Sequence, residues 1–170
     1  MKLKIKEIAV FALLGAVMIV SKKLMESLPN IHILGTLIVA ITLVYRKKAL
    51  YPLYIYVLLD GLFSGFALWW LPYLYVWTVL WGMTMLLPKK MPGKIAPVVY
   101  CVVCSLHGFL FGTLYAPANA LLYGLGFRDM IAWIVSGFPF DCIHGISNAC
   151  CGIFIVPLAG LLRRLSGGED

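Results

Sequence analysis

Asp141, His144 and Asn148 follow one another at intervals of three and four residues, a spacing that places a carboxylate, an imidazole and an amide on one stripe of a helix. The segment around them is apolar, and a carboxylate at the middle of a membrane helix costs about 2.5 to 3.5 kcal/mol on insertion scales. Such a stripe is either an inter-helix hydrogen-bonding cluster or a site that binds something. Asp60 poses the same question, with Ser64 one helical turn further on. His107 lies in another apolar run, and Glu26, Asn30 and His32 gather in a short polar stretch. Trp70, Trp77 and Trp81 recur at intervals of seven and four residues, one helical face that could stack on a flat ring.

The elements that must position these groups follow from composition. Apolar residues make up 62% of the 170-residue chain and charged residues 12%, too few for a water-facing shell. The charges also cluster, leaving Ser27–Tyr45, Gly61–Pro88, Ile95–Phe127 and Cys142–Leu162 without Asp, Glu, Lys or Arg. Runs of this kind read as membrane spans of about 20 residues. The expectation is an all-α integral membrane protein, residues 1–170 forming a single membrane domain of six transmembrane helices. With Pro, Gly and charge clusters as boundaries, the spans fall at about 8–25, 31–45, 50–68, 72–87, 95–115 and 137–162, and 116–136 reads as an interfacial or re-entrant segment. The run from Ile8 to Val20 reads as the first span, since Ser21-Lys22-Lys23 follows it in place of a signal-peptide cleavage site.

Lysine and arginine set the expected orientation, because they are retained on the cytoplasmic side. Six spans with both termini cytoplasmic put eleven inside (Lys2, Lys4, Lys6, Arg46, Lys47, Lys48, Lys89, Lys90, Lys94, Arg163 and Arg164) and leave Lys22, Lys23 and Arg128 outside. The net charge of +7 is then a topology signal beside anionic lipid and calls for no nucleic-acid partner. In this orientation Glu26, His32, Asp60, Asn119, Asp141 and His144 all belong to the outer half, so a site should open outward.

Other chemistries find little support. The five cysteines lie in apolar stretches, and Cys101 and Cys104 read as small buried hydrophobes rather than a redox or metal pair. No metal site is expected. Neither a Walker-type phosphate loop nor an HExxH or GxSxG motif occurs, so the chain has no means of hydrolysing ATP. An enzyme using Asp141 and His144 as acid and base would need a nucleophile or metal that the sequence does not offer, and the reading is that the chain is not an enzyme.

Within the first span Ala9, Ala12 and Ala16 share a face that allows close approach of another helix. Ala12-x-x-x-Ala16, six spans in a chain of this size, basic inner segments and outward polar groups together resemble the substrate-binding S component of an energy-coupling factor (ECF) transporter. The stretches Met25–His32, Val44–Lys48 and Trp69–Tyr73 are similar to bacterial members of that family. The resemblance implies a multi-pass protein of the bacterial cell membrane that carries no cofactor. It implies docking of Ala9, Ala12 and Ala16 on a membrane scaffold subunit, whose two cytoplasmic ATPases use ATP. Members of the metal-uptake branch begin Met-His, whereas this chain begins Met1-Lys2. A small heterocyclic micronutrient is the expected ligand, first a deazaguanine precursor of queuosine, otherwise cobalamin, thiamine or riboflavin. Asp141, His144, Asn148, Asp60, Glu26, His32, His107, Trp70 and Trp77 are the candidate binding residues. The alternative is a self-sufficient proton-coupled carrier or channel, with Asp60, His107, Asp141 and His144 as a relay.

Overall fold

The computed structural model describes residues 3–166; Met1 and Lys2, used above for the metal branch and the charge count, lie outside the described residues, as do residues 167–170. The described residues form helices and turns with no strand. In chain order the helices are α1 (Ile5–Leu24), α2 (Leu34–Tyr45), α3 (Leu50–Ser64), α4 (Tyr73–Met85), α5 (Ala96–Phe109), α6 (Phe111–Tyr123), α7 (Phe127–Gly152) and α8 (Ile155–Leu165), with single 3-10 turns at Arg46–Ala49 and Leu68–Trp70.

Apolar side chains are found both inside and on the surface. Large apolar side chains face outward, among them Leu13, Leu62, Leu121, Phe127 and Ile146, while Asp60, His107, His144 and Asn148 are buried. Two stretches, Ala96–Tyr123 and Phe127–Gly152, are long and apolar enough to cross a membrane by length and composition.

α2 is the central element. Leu34, Ile38, Val39 and Ile41 are all buried, and they join Met18, Leu53, Tyr56, Leu80, Cys104 and Ile155 in one apolar core. A helix that is apolar on every side has to be enclosed by others. Its 12 residues rise about 18 Å, against about 30 Å for the 20 residues of α1. The shortfall lies at the start of α2, where the connection 25–33 fills the end of the bundle. Asn30 takes a left-handed conformation there (φ 60°), which its short amide tolerates better than most side chains.

Two close contacts set the frame around this end. Gly15 of α1 abuts Ile55 of α3, and a Cβ on Gly108 of α5 would fall 2.8 Å from the Gly145 backbone of α7. Those glycines let the paired helices approach to backbone contact. At the opposite end, Lys48 pairs with Glu7, and the ammonium holds that carboxyl below the usual carboxylate range. Arg46 donates to the Met85 carbonyl there, at 2.9 Å.

The segment 116–136 is the one expected to be interfacial or re-entrant. It is helical on both sides of a tight turn, ending α6 and beginning α7, with Gly124 left-handed (φ 65°) and the Leu125 N–H closing on the Ala120 carbonyl at 2.9 Å. Pro117 and Pro139 lie inside helices rather than between them. Each proline removes one donor, but the neighbouring backbone groups are still best satisfied by continuing the helix. The last expected span is divided at Ile153 and Phe154 into α7 and α8.

Candidate functional site

Beneath the connection 25–33 lies a cavity of about 170 Å³. Lys22 from the last turn of α1, Glu26 and His32 from the connection, Trp77 from α4, Phe111 at the α5–α6 break and His144 from α7 all reach it. The wall is aromatic. His144 sits 4.8 Å from the His32 ring and 4.9 Å from Phe111, and Trp77 lies 5.3 Å from Phe111 and 6.0 Å from His32, centroid to centroid.

Four ring nitrogens of this wall have no partner within the protein. Both ring nitrogens of His144, Nδ1 of His32 and Nε1 of Trp77 are buried and unpaired. More than nine in ten buried polar groups in folded proteins are hydrogen-bonded, so four such atoms around one cavity make it a candidate site for a hydrogen-bonding occupant, water or ligand. His144 is 2% exposed and Trp77 1%. His32 lies outside the helices, and burial, with the Lys22 ammonium adding to it, pushes its imidazole down to about 4. It is neutral at pH 7.

The charged groups at the cavity are neutralised pairwise. Lys22 Nζ donates to Asp60 Oδ2 at 2.6 Å and lies over the Tyr73 and Trp69 rings, 5.0 and 5.8 Å from their centroids. Glu26 accepts from Lys23 Nζ at 2.9 Å.

Of the nine binding residues expected from sequence, Glu26, His32, Trp77 and His144 meet at the cavity. Asp60 reaches it only through Lys22, leaving its own Oδ1 unpaired. His107 lies against Trp77, 5.6 Å between centroids with the rings tilted by 34°, and its Nε2–H donates to the Val76 carbonyl at 3.0 Å. Trp70 donates to the Val57 carbonyl at 2.7 Å. Asp141 accepts from the Gly112 N–H, and Asn148 donates to the Cys104 carbonyl at 3.0 Å. Lys22, Tyr73 and Phe111 were not among the expected binding residues. Lys22 could have been found from its pairing potential with Asp60; Phe111 carries no signal beyond being aromatic.

On α1, Ala9 and Ala12 are exposed and Ala16 is half-buried, while Phe11, Gly15, Met18 and Ile19 face inward. All five cysteines are free, and among the described residues no three His, Cys, Asp or Glu side chains are grouped to hold a metal ion. No family model matches this chain, and no curated protein or solved structure is found similar to it.

Proposed function

We propose that the chain is a multi-pass bacterial membrane protein that works as the substrate-binding subunit of an ATP-driven ECF importer. The observation that carries the reading is the cavity under the connection 25–33, walled by His32, His144 and Trp77 with their ring nitrogens unpaired. The large apolar side chains on the outer surface, with Asp60, His107, His144 and Asn148 buried, support the membrane setting. In this reading α5 with α6 makes one pass and α7 with α8 another, six in all, with both termini at the basic, cytoplasmic end and the cavity at the other.

The size of the cavity bears on the ligand. Sites for drug-sized molecules run roughly 300 to 1,000 Å³, and 170 Å³ suits one or two fused rings. That favours a deazaguanine precursor of queuosine and argues against cobalamin and riboflavin. The exposed Ala9 and Ala12 leave a small-residue face on which a scaffold helix can dock.

The test is reconstitution. The purified chain is expected to bind its ligand one to one without nucleotide, and native mass spectrometry of material purified in mild detergent reads which metabolite stays with it. Liposomes holding the chain alone should not accumulate that metabolite, whereas liposomes that also hold the scaffold and ATPases should. Sustained accumulation driven by a proton gradient alone would replace this reading with the self-sufficient carrier.

A further inference from the structure

We infer that the molecule held in the cavity is an uncharged planar ring that presents a hydrogen-bond donor and an acceptor on one edge, and that His144, His32 and Trp77 read it while the carboxylates do not. This rests on the binding-subunit reading and narrows it to a class of ligand.

The first argument is charge. Lys22 and Glu26 are the charged side chains that line the cavity, and each is already paired, with Asp60 and with Lys23. Asp141, which could have met a cationic ligand or an N–H edge, is spent on the Gly112 backbone. Neither His144 nor His32 contacts a carboxylate. A ligand carrying a net charge would therefore leave water without finding a counter-charge, which is strongly unfavourable. An uncharged ligand meets no such penalty.

The second argument is the inventory of free hydrogen-bonding atoms. A neutral imidazole offers one donor and one acceptor, and an indole offers a donor alone. With both nitrogens free, His144 presents one of each; Trp77 adds a donor, and Nδ1 of His32 adds either, according to tautomer. A purely apolar ring would leave all four atoms unpaired, and a ring with acceptors alone would leave an imidazole nitrogen without its proton donor. A cyclic amide or amidine edge satisfies the set. Trp77 and Phe111 supply flat surface for the ring itself.

Matched pairs that differ in charge but little in shape test this directly. With the full chain in lipid nanodiscs, tryptophan quenching would compare 7-cyano-7-deazaguanine with its cationic 7-aminomethyl counterpart, and nicotinamide with the anionic nicotinate. The expected result is that the uncharged member of a pair binds at least tenfold more tightly. His144→Phe should remove that binding tenfold or more without lowering the unfolding temperature of the ligand-free protein, and His144→Gln, which keeps a donor and an acceptor, should recover part of it. Tighter binding of a charged member, or affinity indifferent to His144→Phe, overturns the inference and leaves the binding-subunit reading standing. If no member binds and no metabolite copurifies, both fall.

Discussion

Both carboxylate oxygens of Asp141 accept the same backbone donor, the Gly112 N–H, at 2.9 and 3.1 Å. Gly112 lies in the first turn of α6, just past the break at Leu110, where N–H groups lack an intrahelical acceptor. A carboxylate from α7 thus caps a helix start from across the bundle, where the helix dipole also favours negative charge. The expectation is that Asp141→Ala lowers the stability of the ligand-free protein by about 1 to 3 kcal/mol, the cost of a buried donor left unpaired, with Asp141→Asn losing less because one acceptor oxygen remains. Ligand affinity should stay within about threefold. Thermal unfolding in detergent alongside binding checks this; a tenfold loss of affinity at unchanged stability would return Asp141 to the ligand.

That contact also shows where sequence reading stops. Helical content and the outward apolar faces follow from composition and charge spacing; α2, α3 and α4 lie inside the stretches 31–45, 50–68 and 72–87, whereas α1 starts three residues ahead of 8–25. The polar residues worth naming were likewise legible, since an imidazole or carboxylate in an apolar run stands out. What could not be read is which of them the backbone would consume. Asn148 is engaged where Gly108 and Gly145 bring α5 and α7 to backbone contact, and Asp141 by the Gly112 N–H at the start of α6; nothing in the spacing along α7 reports how closely another helix approaches. In the stretch 116–136, Pro117 interrupts the apolar pattern without interrupting the helix that holds it.

Lys22 and Asp60 make a second test. Asp60 is fully buried, whereas Lys22 keeps 21% of its side-chain exposure. Breaking a buried pair from one side costs about 3 to 5 kcal/mol, and the partial exposure of Lys22 places the expectation for Asp60→Asn near the lower figure. Replacing both partners, Lys22→Met with Asp60→Leu, should cost less than Asp60→Asn alone, because no uncompensated charge remains. Denaturation of the single and double variants gives the coupling. A double variant as unstable as the single one would mean that the pair is held by more than its own electrostatics.

On α1 the prediction is a separation of functions. Ala12 is exposed while Gly15, one turn on, is buried against Ile55, so there is space outside the bundle for a large side chain at position 12. Ala12→Trp should leave ligand binding within about twofold while reducing scaffold assembly and uptake by tenfold or more. Copurification with the tagged scaffold and liposome uptake read the two effects. Normal assembly would show that this face serves the lipid.

His32 carries the last prediction, a pH dependence whose sign follows from burial. Its imidazole is pushed from the ordinary 6.5 down to about 4, with His144 4.8 Å away and the Lys22 ammonium on the same cavity. Above about pH 6.5 the residue is neutral whether the protein is folded or unfolded, and it makes no difference to stability. As the pH falls below that value the unfolded chain takes up a proton that the folded protein refuses until about pH 4, so stability declines through this window and then levels off. At pH 5 the loss amounts to about 2 kcal/mol. Unfolding temperatures measured from pH 8 to pH 5 should fall more steeply for the natural protein than for His32→Gln, and the difference between the two curves isolates this residue from other titrating groups. Parallel curves would mean that His32 is hydrated and titrates as it does in water, and the cavity would then be more open than its aromatic wall implies.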